Sequence, residues 1–221
     1  METHLLTELV RHLPRPFVSE LLRKIEWVYK EAHGAVKNDP LIAQPEHEYL
    51  YPHYRRSILE KALRDLAVAT GMEGRISTNQ DGNHQFTEIV AGRFVFTCSH
   101  STGPDYMMLR SSHFRRQNAE LNALLAQFEF TGGGFEKFHP KDTGGLLNAV
   151  IYHATDRNDP SQVGYLRLGF PKHDNSGWAA KFEFDEILSA YPRAITQRDD
   201  DEQLIIRWKT KRQQSNQGQE D

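Results

Sequence analysis

Residues 75–99 read RISTNQDGNHQFTEIVAGRFVFTCS, and this stretch decides the fold class. Asp81-Gly82-Asn83 carries the turn chemistry of a hairpin, because Gly and Asn accept positive φ. It joins a strand over 75–80 to a second over 84–90. Ala91-Gly92 turns the chain again into a third strand over 93–99. There Phe94 and Phe96 fall on one face and Val95 and Thr97 on the other, the alternation of a pleated strand. The reading is a three-stranded antiparallel meander, which makes a sheet the centre of the fold.

On the N-terminal side the period changes. Residues 2–12 form a short helix closed by Pro14 and Pro16. From Phe17 the apolar residues Val18, Leu21, Leu22, Ile25, Val28, Tyr29 and Ala32 recur at helical steps, with Glu20, Arg23, Lys24 and Lys30 opposite. This helix is expected to stop near Gly34. Residues 37–49 read as a connection. A second long helix is expected to begin at Pro52, carry the stripe Tyr54, Ile58, Ala62, Leu66 and Ala69 flanked by Leu59, Leu63 and Ala67, and end at Gly71.

On the C-terminal side a helix is expected over 112–126, from Ala119, Leu121, Leu124 and Leu125. Phe128 and Phe130 alternate as a strand before Gly132-Gly133-Gly134. Residues 146–154, 163–170 and 178–184 are three more strands, and Asp185 is placed as the cap of a short helix through Tyr191. Residues 204–209 read as a closing strand. The run KTKRQQSNQGQED from Lys209 carries no apolar side chain, so 210–221 are expected to be a disordered tail. The sum is an α+β domain over 1–209. An antiparallel sheet of about six to eight strands is covered by helices, with 1–71 mainly helical and 72–209 mainly sheet.

Composition narrows the function. The chain has 221 residues, with 27 Lys and Arg against 30 Asp and Glu, a net charge of −3, so no global basic field attracts nucleic acid. The lone Cys98 excludes an internal disulfide framework and a cysteine-based zinc site. With no leader-like start and no apolar run long enough to span a bilayer, the expectation is cytoplasmic, with no membrane partner.

Several chemistries lack their spacing. No acid is followed two residues later by lysine, as a restriction-type nuclease strand requires. There is no phosphate loop, dinucleotide glycine fingerprint or serine elbow. The 11 histidines include no pair at two- or four-residue spacing, so no metal site is assigned. Cys98 and His100 share a strand face and are a candidate thiol–imidazole dyad. No catalytic residue and no cofactor is assigned.

What remains is basic. Residues 110–118, RSSHFRRQN, hold Arg110, His113, Arg115 and Arg116 with no acid between Asp105 and Glu120. Serines that cap the next helix would set its positive dipole beside the guanidinium groups. Lys137, His139 and Lys141 in one loop, and Lys172 and His173 in another, join these as anion- or nucleic-acid-binding candidates. Tyr54-Arg55-Arg56 is a third cluster, placed where cations oppose a helix dipole unless a ligand compensates. The acidic run Asp199-Asp200-Asp201-Glu202 repels phosphate unless it faces away.

The leading expectation is a non-enzymatic binding or regulatory protein, of the bacterial antitoxin or phage-defence accessory type. It would contact nucleic acid or an acidic partner protein through arginine-rich helix starts. The alternative is a metal-dependent nuclease or phosphodiesterase drawing on His113, His139, His173 and Asp142 or Asp174. The third is a homodimeric module, should the apolar stripe of residues 1–36 lie outside the main core.

Overall fold

Pro14, extended at φ −63° and ψ 132°, separates helix α1 (Glu2–His12) from α2 (Arg15–Lys37). The computed structural model describes residues 2–79, 82, 84–101, 112–123, 125, 145–192 and 198–217. The stripe of α2 is buried as expected, from Phe17 and Val18 through Ile25 and Tyr29 to Ala32. Gly34 does not stop the helix. Val36, one turn beyond Ala32, is also buried, and that contact outweighs the roughly 1 kcal/mol a helical glycine costs. Leu5, Leu9 and Leu13 join the same core, so the apolar stripe of residues 1–36 is covered from within.

Helix α3 (Gln44–Ala69) begins a full two turns before Pro52, which lies inside it. Pro45 is the first-turn proline instead. The longer helix has a rotated buried face: Tyr51, Arg55, Leu59, Ala62, Leu63 and Ala67 point inward, while Tyr54 is 47% exposed. Tyr51, Arg55 and Leu59 follow four-residue steps, so Arg55 occupies a core position that its charge conceals in the sequence.

The sheet comprises β1 (Glu73–Thr78), β2 (Gln85–Ala91), β3 (Phe94–His100), β4 (Leu147–Thr155), β5 (Val163–Pro171) and β6 (Trp178–Glu183), paired in that spatial order. The meander of the first three strands holds, but the sheet is mixed. β3 and β4 run parallel, from Phe94 opposite Leu147 to His100 opposite His153. A parallel neighbour needs a long crossover, and 101–146 supply it, including α4 (His113–Glu120). The expected strand around Phe128 and Phe130 lies outside the described residues.

Helix α5 (Phe184–Ala190) starts one residue before Asp185, which is buried within it. Its cap position is Glu183, whose N–H donates to the Glu186 carboxylate at 3.2 Å. The expected closing strand is instead helix α6 (Arg198–Gln217), which also carries Thr210 to Gln217 out of the expected disordered tail. Leu204, Ile205 and Trp208 are buried while Ile206 is 63% exposed. That is a helical pattern, which strand alternation would not give. The acidic run sits in its first turns, where the helix dipole favours carboxylates, and Asp201 pairs with Arg15.

One face of the sheet carries Phe94, Phe96, Ala149, Ile151, Leu168 and Phe170 into a core closed by α1, α2, α3, α5 and α6. None of the described helices is long and apolar enough to cross a membrane.

Candidate anion-binding site

β2 and β3 pair only between Ile89–Ala91 and Phe94–Phe96. Beyond that point β2 stays with β1 as far as Gln85, and β3 stays with β4 as far as His100. The two strands therefore part, and the gap lies under α3 and beside the first turn of α4. Phe114 of α4 packs on Phe86 of β2 with ring centroids 4.6 Å apart, closing one wall. A cavity of about 270 Å³ results, reached by Arg55, Arg56 and Glu60 from α3, Ser99 and His100 from β3, His153 from β4 and Arg115 from α4. An open recess of about 400 Å³ adjoins it, sharing His53, Arg56, Glu60, His84 and Phe86 and continuing to Lys61 and Arg64.

Arg55 is the centre of this arrangement. It is 3% exposed, with its guanidinium 4.8 Å from the Tyr29 ring and 4.9 Å from the Tyr51 ring. Its Nη1 donates to Thr155 Oγ1 at 2.5 Å. A bulge between Ala154 and Thr155 ends the regular β4 ladder there, as bulges do where a side chain is re-aimed. Thr155 Oγ1 also meets His100 Nε2 at 3.1 Å, and Tyr29 Oη meets His153 Nδ1 at 2.6 Å. Tyr51 donates its hydroxyl to the Pro160 carbonyl, fixing the second ring. Among the described residues no carboxylate pairs with Arg55. Two aromatic faces contribute about 0.5–2 kcal/mol each. A buried charge needs more than that, and ordinarily has a counter-ion.

The neighbours add positive charge. Arg56 donates to Gln85 O at 2.8 Å and to His84 Nε2 at 2.7 Å, and lies 3.8 Å from Glu60. Arg115 donates to Ser99 Oγ at 2.6 Å. Glu60 is the one carboxylate on the cavity wall among the described residues. It accepts the Thr87 N–H at 2.6 Å, and burial still pushes its carboxyl above the usual range.

Three histidines on the wall are kept neutral. Burial, then the Arg55 charge, takes His100 down to about 4. Burial, with His100 and Arg55 behind it, holds His153 well below its ordinary value. Burial and then Arg56 and Arg115 lower His84. Cys98 and His100 do share a face, but burial pushes the thiol up while the imidazole is pushed down. A thiolate–imidazolium pair requires the opposite shifts, so the candidate dyad is a thiol beside a neutral ring.

These shifts set a pH dependence. An unfolded histidine takes up its proton near pH 6.5, whereas folded His100 does so only near pH 4. The unfolded chain binds more protons in between, so the His100 contribution to stability is complete above about pH 6.5 and is lost as the pH falls towards 4. Denaturant titrations through that interval are expected to trace the decline, and His100→Asn to flatten it. An identical slope in the variant would remove His100 from this account.

Of the nine residues that the sequence nominated, the structure brings Arg115 to the cavity. His113 and Arg116 are exposed on α4 and do not line it. Ser112 occupies the cap position, but its side chain makes no capping bond. Lys172 and His173 are exposed in the β5–β6 turn and line neither the cavity nor the recess. Arg110, Lys137, His139 and Lys141 lie outside the described residues, as do His139 and Asp142 of the metal reading. Asp174, in the same turn as His173, accepts the Ser176 N–H. Among the described residues no three His, Cys, Asp or Glu side chains gather as a metal site. Arg56 was visible as part of a basic cluster, and Arg55 with it. His100 was visible only as the partner of Cys98, and His84 and His153 carried no signal, because only the sheet register brings the three together. No known protein family, curated protein or solved structure matches the chain.

Proposed function

We propose that this protein binds a phosphate-bearing ligand in the cavity between β2 and β3, with Arg55, Arg56 and Arg115 as the recognising groups. The observation that carries the reading is Arg55, a buried guanidinium on the wall of a cavity with no carboxylate partner among the described residues. Among the described residues Arg55, Arg56 and Arg115 line the cavity beside a single carboxylate, Glu60, a setting that favours an anion. Guanidinium forks match phosphate oxygens in geometry as well as charge. A cavity of about 270 Å³ suits a small anionic group better than the flat acidic face of a partner protein. On this reading the protein is a binding or regulatory component, and antitoxin and defence-accessory roles both have use for a phosphate-responsive element.

Calorimetric titration with inorganic phosphate and with a nucleoside monophosphate tests it. Both are expected to bind at a single site, more weakly as salt rises, because charge neutralisation is screened. Arg115→Ala is expected to weaken binding about tenfold, the loss of one charge-assisted hydrogen bond. Arg116→Ala, on the exposed side of α4, is expected to change it less than about twofold. Equal effects of the two substitutions would move the site out of the cavity.

A further inference from the structure

The cavity does not end at its own wall. It opens into the recess along α3, and the two compartments share Arg56 and His84 while the outer one adds Lys61 and Arg64. Arg56, Glu60 and Arg64 stand at successive four-residue steps on the recess side of α3. From Arg56 to Arg64 is two turns, about 12 Å along the axis. That is the rise of about three to four stacked nucleotides at about 3.4 Å each. Adjacent phosphates of a nucleoside polyphosphate are far too close together to reach both ends.

The wall between the compartments is aromatic. His84 lies 6.4 Å from Phe86 and 6.5 Å from Phe114, centroid to centroid, beside the Phe86–Phe114 contact. A cationic groove with an aromatic surface along it is the arrangement that takes single-stranded nucleic acid, since every base has a face to stack. In the outer recess the Arg64 Nη1 donates to Thr87 Oγ1 at 3.1 Å, and Lys61 pairs with the exposed Asp65, a surface contact a phosphate can replace. A duplex is too wide for a cavity of about 270 Å³, and a chain end is the part of a strand that suits the buried Arg55 on its wall.

We infer that the ligand is the phosphorylated end of a single nucleic-acid strand, its terminal phosphate on Arg55 and the following nucleotides lying along α3 towards Arg64. This rests on the phosphate-binding reading above and adds the class of ligand and its direction.

Competition binding on the full chain separates the two. The probes are inorganic phosphate, a nucleoside monophosphate, and a single-stranded tetranucleotide with a 5′-phosphate, with a 3′-phosphate and with neither, together with a phosphorylated blunt duplex. One phosphorylated tetranucleotide is expected to bind at least tenfold tighter than both the monophosphate and the unphosphorylated strand, and the tighter of the two assigns the polarity. In Lys61→Ala/Arg64→Ala the ratio of tetranucleotide to phosphate affinity is expected to fall about tenfold, with unchanged circular dichroism. If monophosphate and tetranucleotide bind alike and the ratio does not move, the strand inference fails and the phosphate site stands. A duplex bound as tightly as the single strand overturns it equally. If inorganic phosphate and every phosphorylated probe fail to bind, both fall.

Discussion

Arg55→Met is expected to reduce affinity for phosphate-bearing ligands by about two to three orders of magnitude. A buried, hydrogen-bonded charge that loses its partner costs about 2–5 kcal/mol, and each 1.4 kcal/mol is tenfold. The substitution keeps much of the side-chain volume between Tyr29 and Tyr51, so the cavity loses charge rather than shape. Stability of the unliganded protein is expected to change in a different way. Removing a buried cation that has no carboxylate partner among the described residues relieves its desolvation cost and gives up the Thr155 hydrogen bond and two aromatic contacts. The two sides nearly offset, leaving a change within about 1 kcal/mol, or about 2–4 °C in Tm for a chain this size. A wild-type affinity with a collapsed Tm would make Arg55 a structural residue. Lost affinity with an intact Tm makes it the ligand's counter-charge.

Asn122→Leu is expected to destabilise the fold by about 3 kcal/mol or more. Asn122 is fully buried where the β4–β5 register gives out beyond Val150 opposite Gly169. Its carboxamide bridges the ends of the two strands. Nδ2 donates to Asn148 O at 2.9 Å and to Pro171 O at 2.8 Å, and Oδ1 accepts the Asn148 N–H at 2.8 Å. Leucine of similar volume leaves one buried amide and two buried carbonyls short of these bonds, and each unsatisfied group costs about 1–3 kcal/mol. Because Asn122 follows α4 directly, the same change loosens the segment that presents Phe114 and Arg115 to the cavity. Urea unfolding measures the loss, and hydrogen exchange in α4 is expected to accelerate beyond what the global change requires. A cost below about 1 kcal/mol would show that the carboxamide is dispensable.

The parts of the fold written in local patterns were legible in the sequence. Phe94 and Phe96 alternating with Val95 and Thr97 gave a strand, and the 17–32 stripe gave a helix with its buried face correct. Failures came where distant partners decide the outcome. Leu204-Ile205-Ile206 is apolar enough for either a short strand or one turn of a helix, and only burial of Leu204, Ile205 and Trp208 against the core chooses the helix. The parallel β3–β4 pair depends on a crossover of more than 40 residues, for which no turn signal exists. Reading Pro52 as a start, when Pro45 held that position, left Tyr51 out of α3, and the buried face is centred on the expected flank of Leu59, Leu63 and Ala67.

The candidate site followed the same division. Arg115 stood out by composition, and Arg55 and Arg56 stood out as cations near an expected helix start. Their importance proved to lie elsewhere. Arg55 is about three turns inside the helix, on the face shared with Tyr51 and Leu59. A charged residue on an apolar face is read as exposed by default, so the most informative side chain in the protein was the one its own chemistry disguised. His84, His100 and His153 are 16 to 69 residues apart in the chain and converge only because β2 leaves β3.

The most direct test is a crystal grown without phosphate or sulfate and soaked in tungstate, a tetrahedral oxyanion with a strong anomalous signal. The account predicts a tungsten peak inside the cavity, with oxygens at hydrogen-bond distance from the guanidinium groups of Arg55, Arg56 and Arg115. A cavity with no peak, and a carboxylate of the protein's own chain paired to Arg55, would contradict it.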